Sequence, residues 1–383
     1  MARRHYSRSY WRLLFPLLLV LFYLGGGCAK LRTGLEKWVE RTFGDATPRE
    51  EYLWSEPFPS SYADRWHQAY RSALSDSLLV SLPHRERFVV DSSARRTAHS
   101  VNFDLFPGRT LTASIAGDVP LVFGELYRVG GPEPELMASW DTISRKLTYE
   151  SLRIGGERLL MVVQAAPTRS ATTFDLILKT EPSLLFPVAG KDRKSIRSFW
   201  GDRRDGGRRR HEGNDIFADR GTPLLAVADG RISRVREGGL GGKTVWLRDE
   251  SRNLNYYYAH LSEQLVSSGQ RVFRGDTIGR VGNSGNARTT PPHLHFGIYA
   301  RGARDPLPYL LPGDPAPPTP REQPDQIERV PERGRHYLRD SAEQGENVIR
   351  QLEAGEAIVD LATTGRFHRI VTSRGELGYV NFD

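Results

Sequence analysis

The sequence predicts a mainly β, multidomain protein, and three observations carry that expectation. Short apolar segments alternate with polar residues at a period of two, as at Phe174, Leu176 and Leu178, which puts every second side chain on one face of a strand. Glycines and prolines, 37 and 24 of them, break those segments at turn spacing. At 383 residues the chain is long for one hydrophobic core, so several domains are expected. The formal charge of +8 suits either an anionic partner or a generally basic surface. The basic residues are dispersed and no nucleic-acid motif gathers them, so no nucleic acid is expected as a partner. A single cysteine excludes an internal disulfide framework and any cysteine-based metal cluster.

Residues 1–28 read as an export signal. Arg3, Arg4, Arg8 and Arg12 precede the apolar run Leu13 to Leu24, and three glycines lead to Cys28. The run is shorter than a membrane-spanning helix requires. The stretch resembles a bacterial lipoprotein signal, in which such a cysteine becomes the lipid-bearing first residue, although Gly25 stands where that pattern carries an apolar side chain. The resemblance implies lipidation of Cys28 and an exported, periplasmic, lipid-anchored protein of the bacterial envelope. Simple cleavage, an uncleaved anchor or a buried structural cysteine are the alternatives. Residues 29–95 are polar and Arg-rich with scattered aromatics; short helices are expected there, without a sustained helical period. Residues 96–182 change to strand-like segments, among them "VNFDLF", "RTLTASI" and "RLLMVVQA", and read as a β-sandwich-like accessory domain with no candidate site. The region is similar to the β-sandwich modules placed beside secreted peptidases. The charge run Lys191 to Arg210 has no strand or helix period and reads as an exposed loop, or as an electrostatic grip on an anionic substrate.

The chemistry lies in the next hundred residues. His211 and Asp215 are separated by an even number of positions, so an extended segment puts them on one side, and Gly213 between them argues against a helix. His260 follows in "YYYAHLS", and His293 and His295 form a His-x-His pair at the start of an alternating apolar run. Catalytic zinc commonly takes three protein ligands of His, Asp or Glu type and leaves a position for water. His211, Asp215 and one histidine of the pair would satisfy that arithmetic, leaving the other histidines to handle the proton. Spacing alone leaves open which histidine plays which part. No serine sits in a nucleophile elbow, and "GGLGGKTVW" lacks the frame of a phosphate-binding loop.

Residues 207–310 resemble the LytM or lysostaphin-type zinc metallopeptidases of family M23, which cut peptides of the bacterial cell wall. The motifs that carry the resemblance are His211-x-x-x-Asp215, "GTPLLAVADGRI", "YYYAHLS", "RVFRGDTIGRVGNSG" and "HLHFGIY". It implies an antiparallel β-sheet catalytic domain over 183–310, one Zn2+ held by His211, Asp215 and His295, and catalytic roles for His260 and His293. The division of base and oxyanion duties between those two histidines stays open. This chain departs from the family where Thr290, Pro291 and Pro292 replace a Ser/Thr-Gly-Pro approach, so Pro291 and Pro292 are expected to shape the substrate groove. Of the tyrosine run, one face is expected in the core and at most one ring, Tyr258, in the groove. Asn283 sits in a Gly/Asn/Ser turn that could also touch substrate.

Proline content marks 311–335 as a linker. Residues 336–383 show short strands broken by Gly355, Gly365, Gly375 and Gly378 and resemble a bacterial SH3-like barrel, a module attached to many cell-wall enzymes. His368 has no second ligand near it in sequence and reads as structural. The function expected is a zinc-dependent endopeptidase acting on peptidoglycan peptides. A noncatalytic envelope scaffold or activator of a cell-wall amidase, and a zinc peptidase of envelope proteins, are the alternatives.

Overall fold

The computed structural model describes residues 47–55, 60–76, 78–90, 97–117, 121–140, 142–166, 172–313, 328–342 and 348–382. Cys28, the leader and most of the proline-rich segment lie outside the described residues. The chain divides into two compact units, 1–59 and 60–383. In the first, the helix Pro48–Ser55 opens with a reciprocal cap: the Thr47 amide donates to Glu50 Oε2 at 2.9 Å and the Glu50 amide to Thr47 Oγ1 at 3.4 Å. No helix among the described residues is long and apolar enough to cross a membrane.

The second unit is mainly β. Its helix Ser60–Leu74 buries Trp66, Tyr70 and Ala73, one stripe at helical spacing, and Tyr70 and Ala73 cluster with Leu160 and Val162. Two sheets share one apolar core. The smaller orders Ala98–Leu105, Glu157–Ala165, Val122–Arg128 and Glu135–Ser139. The larger has nine strands and is built from both ends of the unit. His84–Val90, Thr172–Pro182, Arg109–Ala116 and Lys146–Glu150 make one half, and four of the strands after residue 336 extend past Ile358–Thr364 to complete the other. The seam is antiparallel, with Phe88 opposite Ala362 and Arg87 opposite Thr363.

Two sequence expectations meet different structure here. The polar stretch up to residue 95 is helical only in its earlier part, since His84–Val90 is a strand of the large sheet. The C-terminal strands do not close on themselves alone, because the edge Ile358–Thr364 pairs with His84–Val90. Buried charge reinforces the seam: Arg369, 2% exposed in its side chain, donates to Glu86 at 3.1 Å and also pairs with Asp76. Burial would raise the Glu86 carboxyl, but the Arg369 guanidinium and His84 beside it hold it below its usual range.

The sheet that positions the site runs Arg271–Val272, Gly230–Arg236, Lys243–Asp249, Leu254–Leu261, His293–Tyr299, Asn214–Phe217 and Ile196–Ser198. Strand alternation divides its side chains. Tyr256, Tyr258, Leu294, Phe296 and Ile298 go to the core, and Tyr257, His293, His295 and Tyr299 go to the opposite face.

Candidate metal and catalytic centre

Register brings the ligand candidates together. Asp215 pairs with His295 across adjacent antiparallel strands, so the two side chains leave the same face. His211 precedes its strand and is fixed by a backbone exchange: its amide donates to the Asp202 carbonyl at 2.8 Å and its carbonyl accepts from the Gly201 amide at 2.9 Å. The result is a cluster of His211 Nε2, Asp215 Oδ1 and His295 Nδ1 with mutual distances of 3.1, 3.1 and 2.9 Å. Gly213 makes room for it, since a Cβ there would stand 2.4 Å from the Phe296 carbonyl oxygen and 2.9 Å from the His295 ring.

The donor set suits a cation. His211 Nδ1 donates to the Phe199 carbonyl at 2.8 Å, so in the neutral ring Nε2 carries a lone pair, and that lone pair faces a carboxylate oxygen. A positive charge between them resolves the contact. Ligand atoms about 2.0–2.2 Å from a tetrahedral zinc lie roughly 3.3–3.6 Å apart, so a small outward adjustment of this cluster accommodates the ion. Among the described residues, His211, Asp215 and His295 are the group of metal-ligating type that converges in this way. Burial would raise the Asp215 carboxyl, yet when the two imidazoles are protonated against it, taking the place of a cation, they hold it well below the usual carboxylate range. The remaining oxygen, Oδ2, accepts from Arg204 Nη2 at 2.9 Å, and the same nitrogen reaches Ser198 Oγ at 2.5 Å.

His260 and His293 stand beside the cluster. Alternation from Tyr256 and Tyr258 would send His260 into the core. A positive φ of 67° at His260 breaks the alternation and brings its ring 5.1 Å from that of His293 and 6.0 Å from that of His295. That conformation is costly for a residue with a Cβ and marks a position the surroundings enforce. The His260 amide donates to the Gly241 carbonyl at 2.8 Å, and its Nδ1 to the Ser284 carbonyl at 2.9 Å. Both loops need glycine: a Cβ at Gly242 would meet the Gly285 amide at 2.3 Å. Burial, with His293 and His295 nearby, lowers the His260 pKa to about 4. His293 Nδ1 donates to the Pro291 carbonyl at 2.8 Å, and Phe217 stacks on its ring at 5.0 Å. In both histidines Nδ1 is committed to a backbone carbonyl, which leaves Nε2 as the acceptor.

Other candidates fall as follows. Pro291 is exposed and Pro292 half-buried; a proline at 292 restricts residue 291 to extended backbone and so aims the carbonyl that holds His293. Asn283 is half-buried, its Oδ1 accepting from Arg220 and its Nδ2 donating to the Arg288 carbonyl. Tyr258 is a correction: it is fully buried, and its hydroxyl donates to the Leu225 carbonyl and accepts from the Val227 amide. The ring on the site face is its neighbour Tyr257, 5.8 Å from His295, because the two alternate. Sequence reading passed over Ser198, Asp202 and Arg204, which lie in the charge run. That run contains paired strands, with Arg203 opposite Arg210 and Arg204 opposite Arg209, rather than loop alone. Its signal was weak because two-residue strands show no period.

Comparison with known proteins agrees with this geometry. Residues 209–306 match the model of Peptidase family M23. An L-Ala--D-Glu endopeptidase of Bacillus subtilis is 40% identical over 138 residues, 33% of this chain and 42% of that protein. Peptidoglycan DD-endopeptidase ShyC of Vibrio cholerae is 37% identical over 92 residues, 24% of this chain and 21% of that one. The uncharacterized lipoprotein YgeR of Escherichia coli is 29% identical over 203 residues, 49% of this chain and 78% of that protein. The chain thus spans less than half the length of the Bacillus and Vibrio relatives it matches. The matched region is similar to the domain of Peptidase family M23.

Proposed function

We propose that the chain is a zinc-dependent endopeptidase of the bacterial envelope that hydrolyses peptide bonds in peptidoglycan, with His211, Asp215 and His295 holding the metal. The observation that carries this reading is the convergence of three atoms of metal-ligating type within 3.1 Å of one another, beside two histidines whose Nδ1 atoms are committed to backbone carbonyls, leaving Nε2 to take a proton. Zinc bound there would supply Lewis acidity towards the attacked carbonyl and a water acidic enough to attack near neutral pH. The protein's own contribution is positioning. The Phe199 carbonyl fixes the His211 tautomer, Arg204 occupies the spare oxygen of Asp215, and the Pro291 and Ser284 carbonyls aim His293 and His260. Lowered to about 4, His260 stays neutral at envelope pH and can accept the water proton. His293, the first residue of the strand that carries His295, presents the same unprotonated Nε2, so either histidine can take the water proton and, once protonated there, pass it to the leaving amine.

The names of the Bacillus and Vibrio relatives support peptidoglycan peptides as the substrate class. Lipidation of Cys28 and a periplasmic, lipid-anchored location rest on the leader sequence, and the lipoprotein relative is consistent with them. The strands up to residue 182 form an accessory domain, and those after 336 an SH3-like one that docks against it through the seam at Phe88 and Ala362. Purified peptidoglycan is digested with wild type, His293→Ala and His295→Ala, and new termini are identified by mass spectrometry alongside metal analysis. The reading requires metal-dependent products from wild type alone, with zinc retained in His293→Ala and lost in His295→Ala. Products that persist in His293→Ala, or full zinc in folded His295→Ala, contradict it.

A further inference from the structure

The face of the sheet that holds the ligand cluster carries a second feature. Trp246, Tyr257 and Tyr299 come from three adjacent strands, all half-buried, and form a continuous shelf. Trp246 lies 4.5 Å from Tyr257 and 5.2 Å from Tyr299, centroid to centroid, and Tyr257 lies 5.8 Å from the ring of His295. A glycine makes the shelf flat. Gly297 pairs with Tyr257, and a Cβ on it would strike the Tyr299 ring at 2.8 Å, so its missing side chain lets Tyr299 lie along the sheet toward His295. None of these rings enters the core at Tyr256, Tyr258 and Phe296, and the catalytic geometry does not use them.

The shelf has polarity. Across the sheet, Arg234 is opposite Trp246 at one edge, and at the other the exposed carboxylate of Glu212 receives the Tyr299 hydroxyl at 3.4 Å. Glu212 also borders a cavity of about 430 Å³ together with Trp200 and His211. Of the nearby cations, Arg210 lines the same cavity with one nitrogen donating to the Gly201 carbonyl, and Arg248 donates to Asn253. Aromatic faces beside a carboxylate favour a ligand with an aliphatic stem and a terminal ammonium, since the stem covers the rings and the charge gains both the ring quadrupole and the anion.

We propose that Trp246, Tyr257, Tyr299 and Glu212 form a specificity subsite that holds the amine-bearing side chain of a diamino acid in the peptide flanking the scissile bond. This rests on the peptidase reading above. It assigns to Glu212 a choice of substrate rather than a part in bond cleavage.

The test uses a purified cross-linked muropeptide with a free side-chain amine, and the same muropeptide after N-acetylation. Hydrolysis of each is followed with wild type and Glu212→Gln, and binding of each to His293→Ala is measured by calorimetry. The subsite predicts that wild type prefers the free amine by about tenfold in kcat/KM. It also predicts the same preference in binding to His293→Ala and collapse of the ratio to about one in Glu212→Gln. Trp246→Phe, which keeps an aromatic face, should retain most of the preference. Equal handling of both muropeptides by wild type, or a preference that survives in Glu212→Gln, overturns the subsite and leaves the peptidase reading intact. Amine-selective binding without hydrolysis of either muropeptide by wild type overturns the peptidase reading and upholds the subsite. Neither binding nor hydrolysis of either overturns both.

Discussion

Arg204 offers a test of whether the charge run serves the metal centre. Its Nη2 is 2.9 Å from Asp215 Oδ2, with side-chain exposures of 30% and 12%, so the pair sits at the edge of the buried region. The same nitrogen holds Ser198 Oγ, whose chain neighbour Phe199 fixes the His211 tautomer. Arg204→Ala therefore loosens two ligands at once while removing neither. Charge-assisted hydrogen bonds contribute about 1.5–3 kcal/mol, and partners behind metal ligands typically contribute 10–100-fold in affinity. Water can reach Oδ2 once the partly exposed guanidinium is gone, which puts the expectation at the lower end: zinc affinity falls by roughly 10–30-fold. Arg204→Lys keeps the charge without the planar fork and should fall between the two. The assay is competitive zinc titration against a chelator at fixed pH, with unfolding of the metal-free proteins in parallel. Loss of zinc affinity beyond any loss of metal-free stability supports a positioning role. Zinc affinity within twofold of wild type would refute it.

Three further outcomes follow from the geometry. Gly213→Ala places a methyl 2.4 Å from the Phe296 carbonyl oxygen, which is held in the strand pair Asn214 to Phe296, so stability should drop by about 1–3 kcal/mol and zinc content should fall; wild-type melting temperature and full metal content would count against it. His260, at about 4 in the fold, lies below its ordinary value, so its neutral form is favoured and its contribution is complete above the unfolded pKa and lost as pH falls toward 4. Metal-free protein should lose about 2 kcal/mol of unfolding free energy between pH 7 and 5 through this group, with His295, also lowered by burial, adding in the same direction. Denaturant unfolding of His260→Gln should show a flatter profile over that window, and an unchanged slope would be the contrary result. Arg369→Met strands Glu86, which is fully buried, and should cost about 3–5 kcal/mol by urea unfolding, partly recovered when Glu86→Gln is added; a loss below about 1 kcal/mol would show that the seam does not depend on the pair.

What could be read in the sequence depended on how local the determinant was. His211, Asp215, His293 and His295 were legible because a period of two fixes their faces, and the antiparallel register then joins Asp215 to His295. The same rule misassigned Tyr258, since alternation tells that neighbours differ in face without telling which face is the core. His260 shows the opposite failure. Its motif marked it, yet strict alternation would have buried it, and only the positive φ that the Gly241 and Ser284 contacts impose brings it to the site. Trp66, Tyr70 and Ala73 lay at helical spacing within a stretch read as aperiodic, because the polar residues between them diluted the pattern. Arg204, Glu212 and the seam of Phe88 with Ala362 had no local signature at all. Each takes its meaning from a partner brought near by the fold: Asp215 for Arg204, Tyr299 for Glu212, and for His84–Val90 a strand more than 260 residues away. Pro291 joins both groups. As a sequence oddity it pointed to groove shape, whereas the fold shows its backbone carbonyl accepting from His293 Nδ1, a contact that no side-chain pattern encodes.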